Sequence, residues 1–350
     1  MNSISKILII AFVLVLGAVG IFMLNGKKVK PFLTPTSSPS SPVSSSMPSP
    51  VLEPNQQPLI VPTSANVPKG IFVTTNSPVE SFLDKTFVDG VLIRASWEEI
   101  QPSSENSYDW GKIDSRLKAA RDRGKKVSIA IFPGKDAIPD WVFAKGVRKW
   151  TGKVGTLADP MDPLFYTLWF KLVDEFGKRY NNDTTVSHIY ICGGTGLRCG
   201  LRFADLPPGW DRDVILGYWE TTVARYVAAF SNKPLGFEIH STPGEGVALA
   251  EAMMNHNYDT YGSKIGVFEE FLSATAPAAK LAAPVTTWGP KSGKTWCGFQ
   301  TVSALGADLD AAYRHGYNDF GCAYFEIYGV DASNSTYASI NEKWHATIWR

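Results

Sequence analysis

Residues 69–350 are predicted to fold as a closed (β/α)8 barrel of the TIM type, and three observations lead there. Eight short apolar runs recur along this part of the chain, helix-like stretches separate them, and no glycine-rich phosphate turn follows the first run. Alternation of this kind calls for parallel strands, because a parallel return needs a crossover of a dozen or more residues. Eight such strands close into a barrel. A doubly wound open sheet is the runner-up. It would usually carry a Gly-rich turn after its first strand, and Thr74-Thr-Asn-Ser-Pro78 is not one.

The predicted strands are Ile71–Thr75, Val91–Ser96, Val127–Phe132, Ser187–Cys192, Leu235–His240, Ile265–Phe271, Thr295–Thr301 and Cys322–Tyr328. Helices are predicted at Asp114–Arg123, Pro163–Tyr180, Arg212–Ser231, Gly246–Asn255 and Ala307–Asp319, with a closing helix near Ser339–Ile348. In the second of these, Leu164, Leu168, Leu172 and Phe176 recur on one face, which is the amphipathic period. Residues 79–85 and 274–290 show no clear pattern. The run Gly193-Gly-Thr-Gly196 lacks the Lys of a phosphate loop and reads as a tight turn.

Ahead of the barrel lie two segments of different character. Ile7 to Leu24 is an unbroken apolar run, close to the minimum of about 17–18 residues that crosses a bilayer. No small-residue cleavage site or lipid-accepting Cys follows it, so residues 1–30 read as an uncleaved signal anchor, with a cleaved signal peptide as the alternative. Lys27, Lys28 and Lys30 outnumber Lys6, which by the positive-inside rule places the rest of the chain inside. Residues 31–68 argue the other way. They are rich in Pro and Ser and nearly uncharged, a disordered, semi-extended stalk that holds a domain away from a surface. The expectation is a single-pass cell-membrane protein, anchored by its N-terminal helix, with the barrel on the extracytoplasmic side.

Composition narrows the partners. A net charge of +1 offers nothing to nucleic acid, and 44% hydrophobic residues suffice for a large core. No Cys or His spacing forms a zinc site, and neither metal nor cofactor is expected. A monomer is expected. Cys192 and Cys199 flank one loop and could close it. Cys297 and Cys322 start neighbouring strands, where a bridge is expected to be strained. Four buried thiols are the other reading.

The richest stretch begins where the second strand ends. Arg94-Ala-Ser-Trp97 is followed by Pro102, Tyr108-Asp-Trp110, Ile113-Asp114 and Pro139-Asp-Trp141. Indole faces stack on the C–H faces of sugar rings, and charged groups bind sugar hydroxyls. This stretch resembles the barrel glycoside hydrolases of the β-galactosidase and cellulase type. In that family an Arg ends the second strand, a Trp follows, and a Pro, Tyr-Asp-Trp, Ile-Asp run leads into the next helix. Arg94, Trp97, Pro102, Tyr108, Asp109, Trp110, Ile113 and Asp114 match in order. The likeness is good from Gly70 to Trp141 and looser beyond. It implies an oligo- or polysaccharide ligand and, for an enzyme, hydrolysis by two Glu. One follows strand four as acid/base, and one lies on strand seven as nucleophile.

Side-chain alternation selects the residues that face the barrel axis. Arg94 faces in between Ile93 and Ala95. Gly236, Glu238 and His240 face in, as do Tyr324, Glu326 and Tyr328, and Gln300 beside Phe299. The apolar flanks Val267 and Phe271 favour Glu270 over Glu269 as the inward acid. An Arg among these carboxylates offsets the cost of burying them. A buried polar network that only braces the barrel is the bland alternative.

The chain departs from the family at both catalytic positions. Strand four runs into Ile191-Cys-Gly-Gly-Thr-Gly-Leu-Arg-Cys-Gly200 without a Glu, and strand seven offers the amide Gln300. The catalytic candidates are therefore Glu326 first, as the ionised carboxylate, then Glu238 as its partner acid and Asp205 in the loop after strand four. Arg94, Trp97, Trp141, His240, Glu270, Gln300, Tyr324, Tyr328 and Asp331 are the candidate substrate-binding residues. Trp210 and Trp288 are possible sugar platforms, and Trp169, Trp219 and Trp344 read as core. Two functions remain: a hydrolase with non-standard acids, and a catalytically silent glycan-binding surface protein.

Overall fold

A computed structural model describes residues 67–350 apart from 77, 154, 195, 197, 198, 204, 205, 208 and 278, and the side chains of 279–281. The predicted anchor over 1–30, and the predicted stalk up to residue 66, lie outside the described residues. Among the described residues no helix is long and apolar enough to cross a membrane.

The strands in chain order are β1 (Gly70–Thr74), β2 (Gly90–Ser96), β3 (Lys126–Phe132), β4 (Lys149–Gly152), β5 (Gly155–Ala158), β6 (Val186–Tyr190), β7 (Leu235–Glu238), β8 (Ile265–Leu272), β9 (Cys297–Thr301) and β10 (Tyr324–Tyr328). Eight of them close a barrel in the order β1-β10-β9-β8-β7-β6-β3-β2. Its pairings are parallel throughout, and β1 against β10 completes the ring. Each predicted strand corresponds to one barrel strand, shifted by up to two residues at its ends. The antiparallel hairpin β4–β5 was not predicted. Its arms have four residues each, and only Leu157 and Ala158 among them are buried, so they carry little apolar pattern to read.

Helices fill the crossovers. Pro163–Tyr180 starts on an Asp162 cap with Pro163 in its first turn, and it buries Phe165, Leu168, Trp169, Leu172, Val173 and Phe176. Arg212–Ala229 is likewise capped by Asp211, and it, Ala248–Tyr261 and the closing helix Ala338–Ile348 each bury one set of side chains against the barrel core. The two unclear regions also carry helices, at Glu80–Leu83 and Ala279–Trp288.

The barrel interior is filled by pairing large rings with glycines. A Cβ on Gly266 would lie 2.1 Å from the Trp296 ring, and one on Gly298 would lie 2.5 Å from the Tyr324 ring. His188 meets Tyr190, Trp296 and Tyr324 edge-on in the same layers.

The N-terminal rim is tied by lysines. Lys264, 1% exposed, donates to the carbonyls of Phe230, Ser231 and Lys233 at 2.8, 2.9 and 3.0 Å. Lys233 does the same for Asp183 and Val186, and Lys125 for Lys85 and Val88. Both cysteine pairs are bridged, Cys192 to Cys199 and Cys297 to Cys322. Cys322 precedes β10 by two residues, and its Cα lies 5.0 Å from that of Cys297, inside the usual range of about 4.4–6.8 Å.

Candidate active site

The C-terminal ends of the strands bring one set of charges together. Arg94, inward on β2, donates to Thr74 Oγ1 on β1 at 3.2 Å and to Gln300 Oε1 on β9. Its Nη2 also lies 3.0 Å from Glu270 Oε1 on β8. Four strands are thus cross-linked through one guanidinium. Arg202 approaches from the loop after β6 and pairs with Glu270 Oε2. That loop is closed by the Cys192–Cys199 bridge, and its Leu201 N–H donates to the Glu238 carbonyl at 3.2 Å. Glu270 therefore stands between two guanidiniums.

Beside it, Glu238 on β7 is hydrogen-bonded to His240 Nε2. Donor atoms of Glu238, His240 and Glu270 all lie within 4.8 Å of one another, and the three residues are buried. A carboxylate–imidazole set of this kind can in principle hold a cation. Here Arg94 and Arg202 occupy the Glu270 oxygens, and their charges oppose one.

Glu326 on β10 lies deeper. Its Oε1 accepts from the hydroxyls of Tyr190 and Tyr324, both at 2.6 Å, while Oε2 is buried without a hydrogen-bond partner. A small cavity of about 10 Å³ adjoins it, lined in part by Arg94, Tyr190, Glu238 and Glu270. That is about the volume of one water.

Burial sets the protonation states. It pushes Glu326 up to about 7, against the pull of Arg94 and the two tyrosines. It pushes Glu269 up to about 8. Burial and then the neighbouring Glu238 also lift Glu270 above its ordinary value, while Arg94 and Arg202 draw it down. His240 is held neutral by burial, down to about 4. Arg94 loses hydration by burial, but Glu270, Glu326 and Glu238 more than restore its charge.

Above this layer the mouth opens into a cleft lined by Phe132, Lys135, Arg202, Glu270, Phe271, Gln300, Val302 and Tyr328. A second hollow shares Arg202 and Phe271 and adds Phe203, His240, Ser241 and Glu269. A cleft that mixes aromatic faces with convergent polar and charged groups is a form a ligand site can take.

The predicted site residues divide into three groups. Arg94, Glu238, His240, Glu270, Gln300 and Tyr328 meet at the mouth, with Gln300 Nε2 3.4 Å from the Tyr328 hydroxyl. The choice of Glu270 over Glu269 agrees with the ion pairs to Arg94 and Arg202. Glu326 and Tyr324 face inward but are sealed below the mouth, both 0% exposed. Expected as the ionised carboxylate, Glu326 is pushed toward its protonated form, because lost hydration outweighs its partners.

Three further residues land elsewhere. Trp97, expected to bind substrate, is 0% exposed. Ser96 caps the short helix Trp97–Ile100, which turns the indole under the loop onto Trp141, Phe165 and Trp169, with Nε1 bonded to Gln101. Trp141 is half-buried beside it and donates to the Gln101 carbonyl. It lines neither hollow. Asp331 is buried and accepts from the N–H groups of Leu305 and Gly306 at 2.7 and 3.0 Å, so it clamps the loop after β9. Asp205 lies outside the described residues. Trp288 is buried and Trp210 packs on Phe203 and Tyr218, so neither is an open platform.

Sequence reasoning missed Arg202, Lys135 and Tyr190. Tyr190 was within reach, since the alternation that selected Glu238 also selects it on β6. Arg202 lies in a loop with no period, and only the cysteine pair before it hinted that the loop is held.

No protein family's model matches the chain, and no curated protein matches it in sequence. Among solved structures, the catalytic domain of a beta-amylase from Paenibacillus polymyxa superposes with a TM-score of 0.60 at 12% identity, over 79% of this chain and 98% of that one. At that identity the likeness concerns architecture. With the closed ring of eight parallel strands, it shows that residues 70–350 form a (β/α)8 barrel.

Proposed function

We propose that this domain is a glycoside hydrolase-like, carbohydrate-active barrel whose mouth takes up an oligo- or polysaccharide chain. One observation carries the reading. Two carboxylates, Glu238 and Glu270, lie with oxygens within 4.8 Å of each other, each braced by its own partners; Glu270 lines the cleft, and Glu238 shares with it the small cavity beneath. A retaining pair of glycosidase carboxyls stands about 5–5.5 Å apart. In this reading Glu270, between Arg94 and Arg202, is the ionised carboxylate that meets the anomeric carbon. Glu238, sharing a hydrogen bond with neutral His240, is the acid that protonates the leaving oxygen. Phe132, Phe271 and Tyr328 offer the faces on which sugar rings stack, and Gln300 with Tyr328 bonds hydroxyls. Barrel likeness to a beta-amylase domain is consistent with this and adds no residue to it.

The silent glycan binder is the second reading. Gln300 stands on strand seven, and both oxygens of Glu270 are already engaged. Calorimetric titration with a glycan panel, run beside a reducing-sugar assay on the same panel, separates the two. Binding with product that disappears in Glu270→Gln supports hydrolysis. Binding without product over long incubation selects the binder, and no binding to any glycan defeats both. The apolar N-terminal run and the Pro/Ser-rich stalk further suggest that the barrel is displayed outside the cell membrane. Protease shaving of intact cells tests this: a barrel that survives shaving and is released only by lysis lies inside.

A further inference from the structure

The charge inventory of the mouth leads beyond a generic sugar site. Three cations converge there: Arg94, Arg202 and Lys135. Of the acids, Glu270 is held by two guanidiniums at once, so one carboxylate is set against two positive charges. Arg94 is also consumed by Thr74 and Gln300, whereas Arg202 lines both hollows with its side chain 29% exposed. Lys135 stands on the far wall of the larger cleft with its side chain 41% exposed. The acid recorded beside it, Asp136, is 3.6 Å away and 79% exposed, and it lines neither hollow. Glu326 is sealed from the cleft, and Glu238, bonded to His240, lines neither hollow. Glu269 faces the smaller hollow and retains its proton up to about 8, which leaves that hollow without a fixed negative charge of its own at neutral pH.

We propose that the mouth selects an anionic glycan, one carrying carboxylate or sulfate groups, with Arg202 and Lys135 binding the acidic group while Phe132, Phe271 and Tyr328 stack on the rings. This rests on the carbohydrate reading of the same cleft and narrows it. A guanidinium offers several N–H donors in a planar fork, so an Arg202 engaged at Nη1 keeps donors for a second oxyanion. Lysine is the compact second charge, suited to either carboxylate or sulfate. An uncharged glycan would leave this surplus without a partner in the bound state.

The test uses the full chain and matched pairs of oligosaccharides, each acidic member against its neutral counterpart. Uronate oligomers are paired with carboxyl-reduced ones, and sulfated oligomers with desulfated ones, in calorimetric titrations at low and at about 0.5 M salt. The expected result is tighter binding of acidic members by about tenfold or more, a preference that collapses at high salt, where screening acts over a few ångströms. Lys135→Gln is an exposed change that should leave folding intact. It should cut the acidic-over-neutral ratio several-fold, and Lys135→Glu should reverse it. Equal or stronger binding of the neutral members overturns the anionic proposal while leaving the carbohydrate reading standing. So does an acidic preference that neither Lys135 variant changes. Failure of every member to bind removes the carbohydrate reading itself, and with it this one.

Discussion

The two ends of the barrel handle buried charge in opposite ways. At the N-terminal rim the two buried lysines, Lys233 and Lys264, have backbone carbonyls as partners. Lys264 alone satisfies three. A carbonyl is part of the fold and has no protonation state to change, so these contacts tie loops to the starts of strands. At the C-terminal mouth, charges face other charges: Arg94 and Arg202 on Glu270, Glu238 on His240, with Glu326 beneath. Such groups are tuned by one another, and several are left with protonation states far from ordinary. Barrels commonly divide stability and chemistry between their ends in this way.

The division can be broken by substitution, taking the largest expected effect first. Glu270→Gln keeps the shape and removes the charge between the two arginines. Any hydrolytic turnover should fall by about a thousandfold or more, as when a reacting carboxylate is lost, with little change in fold by circular dichroism. Turnover within tenfold of the parent would remove Glu270 from the chemistry.

Lys264→Met should do the reverse. It removes the side-chain donor from three carbonyls, of which only Phe230's keeps a backbone donor, the Lys233 N–H, and should cost about 3 kcal/mol in denaturant unfolding. Glycan affinity measured below the transition should not move. A change in affinity as large as the change in stability would show that the two ends are coupled.

The third prediction concerns pH. Glu326 and Glu269 have folded pKa values raised to about 7 and 8, above those of the unfolded chain. The folded state therefore binds more protons between those limits. Their contribution is fully present below about pH 4.5 and is lost as pH rises through 7 and 8. His188 and His240, lowered to about 3 and 4, act with the opposite sign below about 6.5. Lys264, lowered to about 8, acts with the opposite sign from about pH 8 upward, so the window is about 6.5–7.5, where melting temperature should decline. Glu326→Gln should flatten that decline and be more stable at pH 8, by up to about 3 kcal/mol. A steeper decline in the variant would contradict the assignment.

The smallest effect belongs to Asp331→Ala, which removes the acceptor for two backbone N–H groups beside the mouth. A loss of about 1–2 kcal/mol in stability is expected, with any turnover kept. Abolished turnover at unchanged stability would return Asp331 to the site, where sequence reasoning had placed it.

Much of the fold was legible because its signals are local. A strand of a parallel barrel is buried on both faces, so Val91–Ala95 and Val127–Ile131 read as apolar runs wherever they end up in space. Alternation then identified Arg94, Glu238, Glu270, Gln300 and Glu326 as inward, since the period of two is a property of the strand itself. Trp97, Trp141 and Asp331 were misjudged for the opposite reason. They lie where strands pass into loops or short helices, and a one-turn helix after Ser96 is enough to rotate an indole from the mouth into the core.

Tertiary structure alone decided which inward acids meet the cleft and which are sealed. Depth along the barrel axis depends on the register between neighbouring strands, which no single strand encodes. Glu326 pairs in register with Gln300 and Phe72 and is fully buried, whereas Glu270 on β8 lines the cleft. The same depth sets its protonation, because the loss of hydration is a property of the surrounding protein and not of the residue. Arg202 reaches Glu270 only because a loop closed by the Cys192–Cys199 bridge folds back over β7. The sequence by itself determined the strands, their inward faces and the stock of charges. The register of the barrel and the path of one loop decided which of those charges confront one another, because ion pairing depends on distances of a few ångströms between residues far apart in the chain.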